Sequence, residues 1–357
     1  MPTGEKIILD KILSTGAEYN ASDFHLTVGN PPILRVDGKL VPLTDQPVIN
    51  PDFMKDMVNN ILNDKQKNKL EKEKEIVLAH TMSNKSRFKI SIFYQKGYLA
   101  ASLRLIDKKI KNLDELGLPG VIKKFTEIEK GLVIISGPFG SGRTSTISAI
   151  INEINKNRAD HIITIEKPIE HIYINNKSII EQREVGRDTK SFTQALNTAS
   201  HEDVDVIYVS EVEKLEVAEA MLNAAESSRL VICSMNTDSV LRTIEKIISF
   251  FPEDREEQIR NQFAGVLSGI VSQRLLPRVG GGRIAVAEVM IPNDAVRSVI
   301  REGAIYQINN VLQTSRDEGM ISLDKSLSEL TKTGEILRED ALTNANDKQN
   351  IKSMIKR

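Results

Sequence analysis

Residues 132–144 read LVIISGPFGSGRT, a short apolar run followed by a glycine-rich octapeptide. The run at 132–136 is apolar and rich in β-branched residues, which is typical of a buried parallel strand, and residues 144–154 carry helical spacing. The glycines therefore lie between a strand and a helix, where they let the backbone turn tightly and direct its N–H groups toward an anion. This pattern predicts a phosphate-binding loop, and the alternative is a glycine-rich turn that binds nothing.

Position 143 is where this loop departs from the usual pattern, because Arg143 stands where the motif has lysine. In such loops that residue reaches the β- and γ-phosphates, and the hydroxyl of Thr144 holds Mg²⁺. Arginine is bulkier and more rigidly planar than lysine, so we expect nucleotide to bind more weakly and its γ-phosphate to be held off line. A misplacement of about 1 Å can lower a rate on the order of a hundredfold. The candidate nucleotide-binding residues here are Gly137, Pro138, Phe139, Gly140, Ser141, Gly142, Arg143, Thr144 and Ser145.

Composition limits the class of protein. The chain has 357 residues, of which 40% are hydrophobic and 27% charged, so it is expected to be globular and large enough for two domains. Its net charge of -1 argues against a broad basic face for nucleic acid. The single cysteine, Cys233, lies in an apolar run, which favours a buried strand residue in a reducing, cytoplasmic compartment. We expect neither a membrane span nor a signal peptide, because no apolar stretch approaches the roughly 18 residues that a span needs.

The chain divides near residue 112. Before this point, residues 7–19 have helical spacing and Asp37-Gly38 indicates a hairpin turn. Residues 89–104 alternate as two strands around a turn at Lys96-Gly97. These features predict a small mixed α/β domain at residues 1–111.

The remainder, residues 112–357, alternates buried strands with helical segments, which is the layout of a wound parallel sheet in an α/β fold. After Pro292 the sequence indicates helices followed by a polar tail. The strands are expected at residues 132–136, 162–166, 206–210, 230–234 and 284–289.

Several longer motifs carry a family resemblance. They are SDFHL at 22–26, NPPILRVDG at 30–38, EQREVGRDT at 181–189, SQRLLPR at 272–278 and AVRSVIRE at 295–302. With the loop at 137–144, they make the chain resemble the PilT-like retraction ATPases of type IV pili, within the type II and type IV secretion motor ATPases. The last motif is similar to the AIRNLIRE element associated with retraction motors.

The resemblance implies a RecA-like P-loop domain at residues 112–357 and a PAS-like N-terminal domain at residues 1–111. It also implies ATP and Mg²⁺ as ligands, a hexameric ring of this chain alone or mixed with an active homologue, and a platform protein of the inner membrane as partner. The expected location is the cytoplasm, at the inner face of the cell membrane. The implied role is pilus retraction in twitching motility.

Acidic residues at two strand ends are the candidate catalytic groups, because phosphoryl transfer needs a carboxylate near the attacking water. Glu211 follows the strand at 205–209, at the position of the family's Walker B glutamate. Glu166 ends the preceding strand within a stretch that resembles the family's Asp box. For Glu211 the alternative is an ordinary solvent-facing acid.

Several polar residues of the family motifs are replaced in this chain. Lys167 stands in the Asp box where a carboxylate is expected, and Arg229 and Asn236 occupy the two histidine positions of the His box. No histidine follows His201, so none from that part of the chain can sense a γ-phosphate or carry a proton. The amide of Asn236 can still donate a hydrogen bond but carries no charge.

The arginine fingers, which the family supplies from a neighbouring subunit, are altered as well. Lys89 and Lys96 stand where the family usually has arginines, while Arg104 remains as a candidate nucleotide-binding residue. Lysine keeps the charge but lacks the planar fork that holds a phosphate through two bonds.

Two interpretations follow. The chain is either a PilT-like ATPase that binds ATP and hydrolyses it slowly, or a pseudo-ATPase that serves as a structural or regulatory subunit of a hexameric motor. Lys167 could compensate for charge lost elsewhere if it approached the phosphates.

Overall fold

The computed structural model describes residues 4–82 and 85–356 and divides into two compact units. The N-terminal unit consists of residues Met1–Lys109 together with the short segment Pro168–His171. The C-terminal unit consists of Ile110–Lys167 and Ile172–Arg357. The chain therefore leaves the C-terminal unit after Lys167 and returns to it at Ile172.

The N-terminal unit contains one six-stranded antiparallel sheet in the order β3-β2-β1-β6-β5-β4. Both predicted hairpin turns are confirmed, because Asp37 and Gly38, like Lys96 and Gly97, have the positive φ angles of type I′ turns. The other elements of this unit are helices. In its core, the rings of Phe24 and Phe88 pack edge to face, with centroids 5.7 Å apart. The strands are β1 (Asp23–Thr27), β2 (Ile33–Val36), β3 (Lys39–Pro42), β4 (Glu75–Thr81), β5 (Arg87–Gln95) and β6 (Tyr98–Ile106), and the helices are α1 (Gly4–Glu18), α2 (Pro51–Ile61) and α3 (Asp64–Glu73).

The segment Pro168–His171 is fixed to β5 of this unit. The guanidinium of Arg87 donates to the carbonyl oxygens of Ile169 (2.7 Å) and Glu170 (2.8 Å). Lys89 Nζ donates to Glu170 Oε1 at 3.0 Å. Four residues distant in sequence thus complete the N-terminal unit.

The C-terminal unit contains a seven-stranded sheet in the order β13-β12-β7-β11-β10-β8-β9. Its strands are β7 (Gly131–Ser136), β8 (His161–Glu166), β9 (Ile179–Glu184), β10 (Val206–Val209), β11 (Leu230–Met235), β12 (Leu267–Pro277) and β13 (Arg283–Met290). Its helices are α4 (Arg143–Asn157), α5 (Phe192–Ala199), α6 (Leu215–Glu226), α7 (Val240–Ser249), α8 (Glu256–Val266), α9 (Asp294–Arg301), α10 (Ile308–Thr314), α11 (Leu323–Lys332), α12 (Arg338–Asn344) and α13 (Lys348–Lys356).

Alternate residues of β7 enter different cores. Leu132 and Ile134 pack into one cluster, while Val133 and Ile135 pack into the cluster on the opposite face of the sheet. Helices cover both faces, which explains why this strand is apolar at nearly every position. The predicted wound parallel sheet is confirmed.

The structure departs from the sequence-based expectations at three places. β13 was expected among the parallel strands but runs antiparallel to β12. β9 and β12 were not predicted. The expected polar tail is instead a helical end, since α13 places Ile351 fully inside a C-terminal core.

Candidate functional site

The glycine-rich loop follows β7 at the carboxyl edge of the sheet. Ser136 ends β7 between Met235 of β11 and Ser272 of β12. α4 begins at Arg143, directly after Gly142, whose φ of +88° lies in the left-handed region. Gly142 has no side chain to cap the N–H groups of the first helical turn, so those groups are available to an anion.

The interior of the loop fits a phosphate group. A Cβ atom on Gly137 would lie 2.3 Å from the carbonyl oxygen of Gln273, whereas one on Gly140 would meet nothing within 4 Å. Ser141 is 2% exposed, and its Oγ atom has no hydrogen-bond partner among the described residues. This buried hydroxyl lies beside the uncapped start of a helix. A bound phosphate would give it the hydrogen-bond partner that it lacks among these residues.

Magnesium would need the nucleotide as well as the protein. Among residues 4–82 and 85–356, no three His, Cys, Asp or Glu side chains cluster closely enough to hold a metal ion. Thr144 lies in the first turn of α4 and supplies one hydroxyl. Mg²⁺ usually completes its octahedral shell with phosphate oxygens and waters, so the residues present fit a Mg²⁺ ion carried by a nucleotide.

The other predicted residues follow neighbouring strands in order. Asn236 follows β11, Glu211 comes two residues after β10, and Glu166 ends β8. Since adjacent strands are about 4.8 Å apart, β10 lies roughly 10 Å and β8 roughly 14 Å from the strand that carries the loop. Glu211 is therefore better placed than Glu166 to approach a water beside a bound phosphate.

Glu166 is held inside the protein. It is 3% exposed, and its Oε1 atom accepts hydrogen bonds from Thr164 Oγ1 (2.6 Å) and Gln182 Nε2 (3.2 Å). The next residue, Lys167, has an exposed side chain, and its backbone N–H donates to Ser210 Oγ at 3.2 Å. These hydrogen bonds hold the carboxylate of Glu166 in place at the end of β8.

A cavity of about 570 Å³ joins the loop to the segment after β11. Pro138 of the loop and Asn236 both line it, and Lys246 Nζ lies 3.5 Å from the carbonyl oxygen of Asn236. The rest of its lining is Thr237, Asp238, Arg242, Glu245 and Ser249. The structure therefore brings Asn236 and the loop to one cavity.

Hydroxyl groups connect β7 with the same segment. Thr243 Oγ1 lies 3.0 Å from Ser136 Oγ and 2.6 Å from Thr237 Oγ1. It also donates to the carbonyl oxygen of Ser239 at 2.7 Å. This network fixes the backbone that follows Asn236 relative to the strand that precedes the loop.

Glu288 of β13 anchors the helix beside the cavity. It is 3% exposed, and its Oε2 atom accepts a hydrogen bond from the backbone N–H of Val240, the first residue of α7, at 2.8 Å. Burial raises the pKa of Glu288, while the backbone N–H groups of Val240 and Leu323 oppose that rise. The carboxyl group therefore stabilises α7 from inside the protein.

Arg229 does not lie near the loop. It precedes β11 at the amino edge of the sheet and donates to the carbonyl oxygens of Ser200 (3.1 Å) and Glu202 (3.3 Å). At about 3.3 Å per residue, β11 separates it from Asn236 by roughly 20 Å. The replacement at position 229 is thus remote from the candidate nucleotide site.

Two of the three candidate finger cations form ion pairs within the N-terminal unit. Arg104 Nε donates to Asp23 Oδ1 at 2.8 Å, and Lys89 pairs with Glu170 at 3.0 Å. Lys96 is exposed in the β5–β6 turn. A role for Arg104 at a nucleotide stays a prediction.

The AVRSVIRE motif lies on α9. The guanidinium of Arg297 donates to the carbonyl oxygens of Ala264, Gly265 and Leu267, where α8 ends and β12 begins. An arginine at a helix C-terminus satisfies carbonyl groups that the helix itself leaves open. Arg297 therefore joins α9 to the end of α8.

The glutamine of the SQRLLPR motif, Gln273, contacts the loop, a role that the motif itself did not predict. Gln273 Nε2 donates to the carbonyl oxygen of Ser141 at 2.8 Å, and Thr146 Oγ1 donates to Gln273 Oε1 at 2.9 Å. This contact depends on the pairing of β12 with β7, so no local pattern of the sequence could have identified it.

Comparison with known proteins gives consistent matches over nearly the whole chain. The model of a family described as type II/IV secretion system protein matches residues 3–338. The type IV pilus retraction ATPase PilT of Pseudomonas aeruginosa is 35% identical over 343 residues, which cover 96% of this chain and 99% of PilT. PilU, a type IV pilus ATPase of the same organism, is 35% identical, covering 97% of this chain and 91% of PilU.

Solved structures agree with these matches. A crystal structure of the pilus retraction motor PilT with bound ADP has a TM-score of 0.84 and 38% identity, covering 96% of this chain and 98% of that one. The ATPase DotB of Legionella pneumophila has a TM-score of 0.81 over 96% of both chains, but at 21% identity it shows similarity of fold alone. In the described residues, no helix has the length and apolar character needed to span a membrane.

Proposed function

The chain belongs to the type II/IV secretion system protein family, and on that premise we propose that it is a PilT-like motor subunit of a type IV pilus machine. Its proposed role is pilus retraction in twitching motility, with binding of ATP and hydrolysis weaker than is usual for such motors. The observation that carries the proposal is the loop at 137–144, set between β7 and α4, whose buried Ser141 hydroxyl lacks a partner among the described residues.

Each part of the site has a proposed task. The loop N–H groups and the start of α4 bind the phosphates of ATP, Arg143 contacts the outer phosphates, and Thr144 holds Mg²⁺. ATP supplies the phosphoryl group that is transferred to water. Glu211 orients and polarises that water, and Asn236, which lines the cavity beside the loop, donates a hydrogen bond. Glu166 supports the same edge of the sheet from its buried position.

The assembly belongs to the proposal as well. We propose an N-terminal domain at residues 1–111, an ATPase domain at residues 112–357 and a hexameric ring, made of this chain alone or together with an active homologue. Arg104 would then act at the nucleotide of a neighbouring subunit. A platform protein of the inner membrane is the proposed partner, which would hold the ring at the cytoplasmic face.

Measurement of nucleotide binding and turnover on the purified full chain tests this function. We expect Mg-ATP to bind and phosphate to be released slowly, and we expect Glu211→Gln to stop release while binding persists. The matched control is Glu213→Gln, an exposed acid two residues further on, which should leave both quantities unchanged. Binding without any release would favour the pseudo-ATPase. The absence of binding would contradict the ATPase and would leave only a structural or regulatory subunit.

A further inference from the structure

Gln273 lies where β12 passes the beginning of the phosphate-binding loop. Its neighbour Ser272 is in register with Ser136, the last residue of β7. The side chain of Gln273 is buried, with 1% of the residue exposed. A neutral amide in this position is unusual for a core strand and needs partners for both of its polar atoms.

Both polar atoms of the amide are used, and each contacts a different part of the loop region. The nitrogen donates to the carbonyl oxygen of Ser141, in the middle of the loop, at 2.8 Å. The oxygen accepts from the hydroxyl of Thr146, in the first turns of α4, at 2.9 Å. The amide offers its donor and its acceptor on the same carbon atom, so one side chain can make both bonds.

The glycines of the loop also fit closely against Gln273. A Cβ atom on Gly142 would come within 3.2 Å of Gln273 Nε2, and one on Gly137 would come within 2.3 Å of the Gln273 carbonyl oxygen. Both ends of the loop therefore contact this one residue. The absence of a side chain at 137 and 142 serves the contact with β12 as well as the approach of a phosphate.

We propose that Gln273 is a positioning residue that holds the phosphate-binding loop in its ligand-receiving shape before nucleotide arrives. The inference rests on the proposed nucleotide site. Fixing a glycine-rich loop costs conformational entropy, and a loop that is already ordered spares the ligand that cost on binding. Gln273 acts through the loop, since its two side-chain hydrogen bonds go to Ser141 and Thr146.

The first test is the affinity of the full chain for Mg-ADP and for Mg-ATP. Gln273→Leu removes both hydrogen bonds and is expected to raise the Kd for both nucleotides about tenfold or more. Thr146→Val removes one bond at nearly constant volume and should raise both values severalfold, whereas Thr146→Ser keeps the hydroxyl and should bind like the unchanged chain. Gln258→Leu is the matched control, because it makes the same chemical change at an exposed position of α8.

The second test needs no nucleotide and separates this proposal from the function on which it rests. Amide hydrogen exchange of residues 137–146 should be faster in Thr146→Val than in Thr146→Ser, while exchange in β10 and β11 stays unchanged. Equal exchange in the two variants would overturn the proposal, even for a chain that binds nucleotide well. Faster exchange in a chain that binds no nucleotide would support the positioning role and refute the nucleotide site.

Discussion

Arg143 and Asn236 show what the replacement of single residues does to the candidate site. Arg143 keeps a positive charge at the first residue of α4, where the phosphates of a nucleotide would lie. Asn236 lines the cavity with Pro138, so a hydrogen-bond donor remains where the family has a histidine. On the proposed function, the site would keep cationic and amide groups for phosphate but would have no histidine at position 236 to carry a proton.

Restoring lysine at position 143 is expected to raise both affinity and turnover. Lysine extends a compact ammonium group into the loop, whereas the planar guanidinium needs more room. We expect Arg143→Lys to lower the Kd for Mg-ATP about tenfold and to increase phosphate release by a larger factor. Lys156→Arg exchanges the same two cations at the exposed end of α4 and is the control. Equal values for Arg143→Lys and the unchanged chain would show that the guanidinium is not the limiting group.

Lys167 is not expected to compensate for the altered charges. It follows β8, which lies roughly 14 Å from β7 by strand spacing, and its side chain is exposed. Lys167→Ala should therefore leave the Kd for Mg-ATP within about twofold of its original value. A large loss of affinity would mean that the side chain reaches the phosphates after all.

Asn155 of α4 binds the connection between β8 and β9. It is 1% exposed, its Nδ2 atom donates to the carbonyl oxygen of Ile174 at 2.9 Å, and its Oδ1 atom accepts from the N–H of Asn176 at 3.0 Å. The hydroxyl of Tyr173 adds a bond to Ser148 Oγ at 3.1 Å. These hydrogen bonds thus hold the connection between β8 and β9 against α4, the helix that follows the glycine-rich loop.

We expect Asn155→Ala to lower the free energy of unfolding of the C-terminal unit by about 1 to 3 kcal/mol, because the buried amide of Asn155 loses its hydrogen bonds to the backbone groups of Ile174 and Asn176. Denaturant unfolding followed by hydrogen exchange in α4 measures this. Asn157→Ala, on the same helix but exposed, should change it by less than about 0.5 kcal/mol. Similar losses in both variants would mean that the connection is held mainly by other contacts.

The elements that sequence predicted and those it missed differ in burial. β7 and β11 are buried at every position, so each is a continuous apolar run that predicts a strand. β9 is an edge strand with the sequence IIEQRE, whose exposed and half-exposed positions tolerate charge. β12 is interrupted by Ser272, Gln273 and Arg274. The side chains of Gln273 and Arg274 bond to distant parts of the chain.

The site was predictable to a similar degree. The loop was evident because its glycines are required by local backbone geometry. The position of Arg229 at the far edge of the sheet, and the contact between Gln273 and Ser141, depend on how separate strands pair. No local pattern carries that information, which is why the motifs alone placed Arg229 with Asn236.

At the scale of the whole molecule, the N-terminal unit should be sensitive to acid. Burial lowers the pKa of His25, His80 and His171, which all belong to this unit, below the ordinary value of 6.5. Glu170 and Asp107 partly oppose the shift at His171. The folded unit therefore favours the neutral rings, and the unfolded chain binds more protons in the interval between the lowered values and 6.5.

The neutral rings contribute fully to the free energy of unfolding above a pH of about 6.5. This contribution is lost as the pH falls toward the lowered pKa values. Hydrogen exchange of the N-terminal unit, corrected for the intrinsic effect of pH, should show this loss. His171→Gln removes one titrating ring and should make the dependence shallower. A pH dependence that is unchanged in this variant would exclude His171 as a contributor.

The attachment of Pro168–His171 to β5 also has a consequence for the order of events during synthesis. Domains generally fold as units as the chain emerges, but this N-terminal unit remains incomplete until Ile110–Lys167 has been translated, a delay on the order of ten seconds. During that time Arg87 and Lys89 lack the oxygen atoms of Ile169 and Glu170 that they bind in the finished protein. Nascent chains arrested before residue 168 should therefore be cut by protease within β5 more readily than released ones, and equal resistance would show that the unit closes without its last four residues.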